Sequence, residues 1–246
     1  MLKRLRFMGL RLGVFSDYRD MRQYKPVLND NAGCVIKKVA TFNTMIRIIK
    51  HLLPLFVVQF FTWMALFALW IYAVPVITRY IFHSTDAESA AFEKGVFWVG
   101  MCFAFYATLA AFLAFFIPRL LRYITKEKLH AIALLVGGIG LMLIVFIKSQ
   151  YLLPVCFAFI GIAWSSISNI PYKIISDIAP EDKMTAYFAV FNFSVVIPQV
   201  TAAFLLGYLN KYFFAGETIY VILIGACSML LAGVLMFLIK SMRAEN

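Results

Sequence analysis

Six stretches of this chain contain no Asp, Glu, Lys or Arg: 55–78, 96–117, 129–147, 151–172, 187–209 and 219–239. A helix needs about 20 apolar residues to cross the hydrocarbon core of a bilayer. Water is absent there, so the backbone must satisfy its own hydrogen bonds, and helices do so within one segment. The alternation of a transmembrane barrel is missing. Composition agrees, with 63% hydrophobic and 14% charged residues against roughly 45–50% and 25% in ordinary globular chains. No soluble fold of 246 residues has interior enough to hide that much apolar surface. The expected fold is an all-α membrane protein of six transmembrane helices, at about 54–81, 96–118, 129–147, 151–173, 187–209 and 218–239.

Two domains follow: a basic leader, residues 1–50, and a six-span domain, 51–246. The leader holds 11 of the 23 Lys and Arg residues. Its stretches Leu2–Leu12 and Met45–Leu53 are basic and amphipathic, suited to an anionic membrane surface. With the N-terminus in the cytoplasm, one side of the membrane collects 19 of the 23 basic residues and the other 4. The positive-inside rule then puts both termini in the cytoplasm. It also accounts for the net charge of +11 without a nucleic-acid partner.

The six spans divide into two triplets of opposite orientation, a 3+3 inverted repeat of the kind found in secondary transporters. The first span of each triplet is rich in aromatic and polar residues and is interrupted by proline: Gln59, Thr62, Trp63 and Pro75 in one, Trp164, Ser165, Ser168, Asn169 and Pro171 in the other. Polar side chains inside a membrane need partners or a wet cavity, so they mark candidate sites. Gln59 and Trp63 share a helical face, as do Ser165 and Asn169, with Trp164, Ser168 and Tyr172 on the adjoining stripe. Asn192 and Gln199 lie seven apart in span five. The candidate cavity lining is therefore Gln59, Trp63, Trp164, Ser168, Asn169, Tyr172, Asn192 and Gln199. Aromatic rings beside amides and hydroxyls suit a sugar, whose CH faces stack while its hydroxyls both donate and accept.

Other residues read as structural. Trp70 is expected to pack. Tyr80, Trp98, Tyr151 and Tyr220 suit the membrane interface. Glycines 137, 138, 140, 225 and 233 suit close helix contacts. The cysteines lack metal spacing, and the three in apolar runs are expected in the core. His130 is expected to be solvated at a span edge, and no span is expected to bury a carboxylate. No hydrolase, zinc-protease, P-loop or dinucleotide motif is present, so neither an enzyme nor a cofactor or metal is expected.

The stretch VQFFTWMALFALWIY, Val58–Tyr72, resembles the seventh helix of the sucrose–proton symporter-like branch of the major facilitator superfamily. Gly161–Gln199 resembles its tenth and eleventh helices, through Trp164, Pro171, Tyr172, Pro180, Tyr187, Phe191, Asn192, Phe193, Pro198 and Gln199. Lys173 departs from the pattern, standing where members more often have a small residue. The likeness implies proton-coupled transport of a glycoside or a disaccharide such as sucrose or maltose by alternating access. It also implies half of a twelve-helix fold, whose partner would be an N-terminal-half chain or a second copy of this one. The expected location is the inner membrane of a bacterium. The competing expectations are an inactive remnant and a non-transporting membrane scaffold.

Overall fold

The computed structural model describes residues 31–239, with side chains from Thr44 onward. Leu2–Leu12 lies outside the described residues. Two compact units divide between Thr44 and Met45. Of the first, residues 31–44 are helical, and everything that follows concerns the second.

The described residues are helical without strands. The elements are α1 (Asn31–Tyr80), α2 (Ala90–Ala114), a short α3 (Ile117–Leu120), α4 (Lys126–Phe146), α5 (Leu153–Ile167), α6 (Ile170–Ile178), α7 (Met184–Tyr212) and α8 (Ile219–Leu238). Six helical segments are long and apolar enough to cross a membrane: Thr44–Tyr80, Ala90–Ala114, Lys126–Phe146, Gln150–Ile178, Glu181–Tyr212 and Ile219–Leu238. Span four is thus two helices in tandem, α5 and α6. Met45–Leu53 is not a separate surface helix but part of α1, with Ile48 and Leu52 buried and Arg47 and Lys50 exposed.

Caps set two starting points that hydropathy alone misplaces. Ser89 accepts from the Phe92 amide at 3.1 Å and starts α2. Thr125 accepts from the Lys128 amide at 3.4 Å and starts α4 at Lys126, three residues before the expected span. That extra turn changes two expectations. It carries Glu127, which is only 7% exposed, so one carboxylate is buried after all, in the first turn of a span. His130 is not solvated: it is 0% exposed, and its Nδ1 lies 2.8 Å from the Ser166 hydroxyl of α5.

Helix α4 packs along α8 and α5, and α5 in turn packs on α2. Glycine permits these approaches. A Cβ on Gly137 would overlap the Ala163 methyl of α5. One on Gly138 would stand 2.7 Å from Leu230 of α8, and one on Gly140 2.7 Å from the Cys156 carbonyl. Gly225 does the same for α8 against α1, at 2.9 Å from the Ala68 methyl. In lipid there is no hydrophobic drive between helices, so such contact-range packing is what holds them together. Cys102 and Cys156 are buried, as expected, but Cys227 is exposed.

Two ion pairs join the triplets reciprocally. Arg79, penultimate in α1, pairs at 2.5 Å with Glu217 just before α8, and the Tyr80 hydroxyl donates to the same carboxylate. Asp177, penultimate in α6, pairs with Lys126, the first residue of α4. In each triplet the end of its first span is therefore tied to the start of the other triplet's third span. All four side chains are partly exposed, so each link contributes at most about 1 kcal/mol.

Candidate functional site

Three of the four tryptophans meet at one point. Trp63 and Trp70 project from α1 at i and i+7, so they stand one above the other on one face. Trp164 of α5 meets both edge-on, at centroid distances of 6.1 Å to Trp63 and 5.7 Å to Trp70. The two α1 rings are themselves 6.1 Å apart. Tyr106 of α2 closes the group, 6.3 Å from Trp164. Edge-to-face pairs of this kind are worth about 0.5–1.5 kcal/mol each beyond burial. All three indoles are half-buried, so the junction is both a tie between three helices and a partly open aromatic surface.

Polar atoms around it lack partners. The Gln59 carbonyl oxygen, the Trp63 indole N–H and the Ser165 hydroxyl are buried without a hydrogen bond. Gln59 lies one turn before Trp63, and Ser165 follows Trp164. A buried polar group left unpaired costs about 1–3 kcal/mol, so these atoms mark a place where something polar belongs.

The sequence-derived residues separate into four groups. Trp63 and Trp164 form the junction itself. Gln59, only 1% exposed, lies inside the bundle and not on an open cavity wall. Ser168 and Asn169 are exposed but already employed at the break between α5 and α6. The Ser168 hydroxyl donates to the Trp164 carbonyl at 2.9 Å, and the Asn169 amide to the Ser165 carbonyl at 2.8 Å. Each keeps an acceptor oxygen free. Tyr172, 40% exposed, packs on α7, stacked 6.3 Å from Phe188 and edge-on 5.2 Å from Phe191. Asn192 is exposed and Gln199 half-buried on α7, and neither joins the tryptophan junction.

Sequence reasoning missed Tyr106. Its signal was present in the spacing of Gly95, Val99, Cys102, Tyr106 and Ala110, the small-residue stripe that α2 buries, where Tyr106 is the one polar-tipped ring. Trp70, expected only to pack, belongs to the junction. The interfacial pair Trp98 and Tyr151 sits apart from it, in mutual edge contact at 5.9 Å.

Six membrane-length helical segments among the described residues, packed through glycine contacts, define a polytopic membrane protein whose helices meet at a half-buried aromatic junction. The chain belongs to the Major Facilitator Superfamily, which residues 19–203 match. The match begins within the expected leader and ends inside α7. No curated relative matches the chain significantly. Membership assigns the protein to membrane transport and places it in a lipid bilayer.

Proposed function

We infer that the chain is the C-terminal six-helix half of a transporter for a neutral sugar or glycoside, in which the tryptophan junction supplies the sugar-binding wall. The observation that carries this reading is the meeting of three half-buried indoles, which leaves a partly open aromatic surface inside the bundle. The unmatched Trp63 N–H and Gln59 carbonyl are sealed inside the bundle, where a sugar hydroxyl, which both donates and accepts, reaches them only as the helices move apart. The half-buried indoles offer CH-stacking surface to the same ring. The free oxygens of Ser168 and Asn169 add further acceptors along α5 and α6, while Tyr172, Asn192 and Gln199 extend the lining toward α7.

Alternating access needs two bundles moving around one site, so a complementary six-helix half completes the cavity. Proton coupling follows from the family likeness. Carboxylates in the described helices stand in first or last turns, as Glu93, Glu127 and Asp177 do, so the coupling acid belongs to the complementary half. The basic loops face the cytoplasm in this reading, and the membrane is a bacterial inner membrane.

Intrinsic tryptophan fluorescence of the reconstituted chain tests the site. Sucrose or maltose should change it saturably, and Trp63→Phe, which keeps a ring but removes the N–H, should weaken the apparent affinity about tenfold. A flat response to every sugar tried, with and without an N-terminal half, would refute the sugar reading and leave a remnant or a scaffold. Proteoliposomes holding this chain alone should show no acid-driven uptake, and clear uptake would overturn its half-transporter status.

A further inference from the structure

Away from the tryptophans, α6 turns a polar face toward the segment between α2 and α4. The helix is strongly two-sided: Ile170, Ile174, Ile175 and Ile178 are buried, while Tyr172, Lys173, Ser176 and Asp177 are exposed. Two adjoining hollows of about 430 and 270 Å³ open along that face and share Leu121 and Lys173. The larger has Pro118, Leu121 and Phe188 on its apolar side and Asn169, Lys173 and Ser176 on its polar side. The smaller runs on past Thr125 to Lys126 and Glu127.

The charges there are unevenly committed. Lys126 is paired with Asp177. Lys173 forms no ion pair among the described residues, and it is the cation common to both hollows. Arg119, Arg122 and Lys128 on the adjoining segment add positive charge, against Glu127 and Asp177. The Asn169 amide nitrogen is used by the Ser165 carbonyl, which leaves its oxygen as an acceptor. Ser176 donates to the Lys173 carbonyl at 3.0 Å and keeps acceptor capacity. Phe115 and Tyr123, 79% and 90% exposed, belong to the same α2–α4 segment, and exposed aromatic side chains are common at the depth of lipid headgroups.

We propose that this cleft is a binding site for one anionic phospholipid with a hydroxyl-bearing headgroup, of the phosphatidylglycerol kind. The Lys173 ammonium meets the phosphodiester, the Asn169 oxygen accepts from a headgroup hydroxyl, and the acyl chains leave over Pro118, Leu121 and Phe188. A free phosphate ion would gain nothing from that apolar side. A choline headgroup brings no hydroxyl donor, and its phosphate carries a neutralising positive charge. The cleft shares Asn169 with the proposed sugar lining, but its cation, Lys173, and the α2–α4 segment take no part in the tryptophan junction.

Native mass spectrometry of the purified chain, loaded from dioleoyl-phosphatidylglycerol or dioleoyl-phosphatidylcholine, tests it. One phosphatidylglycerol should survive delipidation on the wild-type chain. Lys173→Gln should lower its occupancy about fivefold, the weight of one basic residue at a membrane surface. Lys173→Arg should retain it, and Lys211→Gln, at the far end of α7, should be indistinguishable from wild type. Millimolar inorganic phosphate should not displace the lipid. Equal retention by Lys173→Gln, equal retention of phosphatidylcholine, or displacement by inorganic phosphate would each overturn the proposal. A common melting temperature for the three variants ensures that a lost lipid is not a lost fold.

Discussion

The opening spans of the two triplets, α1 and the α5–α6 pair, both carry proline, and only one of them breaks. Helix α1 runs on through Pro54 and Pro75 to Tyr80. Span four stops at Ile167 and restarts at Ile170, with Asn169 at φ −123° and ψ −49°, just ahead of Pro171. Proline removes one N–H donor and crowds the preceding turn in both. What differs is the sequence before it. Ala73 and Val74 precede Pro75 and offer the backbone nothing, and Thr78 afterwards donates to the Val74 carbonyl at 2.9 Å without leaving the helix. Ser168 and Asn169 stand just ahead of Ile170 and Pro171, and their short polar side chains bond back to the carbonyls of Trp164 and Ser165 in competition with the helix ladder. A proline alone therefore leaves a membrane helix intact, whereas a proline behind Ser-Asn supplies both the break and its repair. The break matters because it turns α6 away as a separate amphipathic helix, with Lys173 on its open face.

Four experiments would break or sharpen this comparison. The largest effect is expected where the two spans touch. Trp164→Ala removes the ring that meets Trp63, Trp70 and Tyr106, and should cost about 2–4 kcal/mol in detergent unfolding. Trp98→Ala, whose ring meets Tyr151, should cost less than half as much, and equal losses would show that the junction does not tie the spans. Next, Ser168→Ala with Asn169→Ala strips the break of its side-chain donors and should cost about 1–2 kcal/mol. On the same logic, Pro171→Ala should shift the distance between spin labels at 158 and 176, whereas Pro75→Ala should leave labels at 67 and 82 unmoved. A shift in both helices would return the difference to proline itself. The smallest effect is at the helix ends: Arg79→Gln and Asp177→Asn should each cost under about 1 kcal/mol. Similar values would support the equivalence of the two reciprocal ion pairs.

The spans were legible because charge-free length is a property of the sequence alone, and all six were found, although the first helical segment starts ten residues before its expected position at 54. Their ends were less so. Thr125 and Ser89 act as caps through side-chain bonds that hydropathy does not weigh, and Glu127 and His130 were misread for that reason. The glycines at 137, 138, 140, 225 and 233 were readable, since small residues in a membrane helix have few other uses. Trp63 and Trp164 were readable as aromatic and unusual, but their meeting was not, because it depends on how α1 and α5 cross. Gln59 shares a face with Trp63 in sequence, yet the bundle closes over it. Lys173 stood out only as a departure from a resembled pattern, and its role in the cleft required the position of the α2–α4 segment.

The glycine contacts between α4 and α8 also bear on synthesis. Gly138 meets Leu230, a residue made about ninety positions later. At roughly 5–20 residues per second, the glycine face of α4 waits on the order of 5–20 seconds in the membrane before its mate is translated. During that interval lipid tails must fill the groove, and they must be expelled when α8 arrives. The last described span to leave the ribosome is the one that covers the glycine face of α4, so that face is sealed only when the other described spans are already in the membrane.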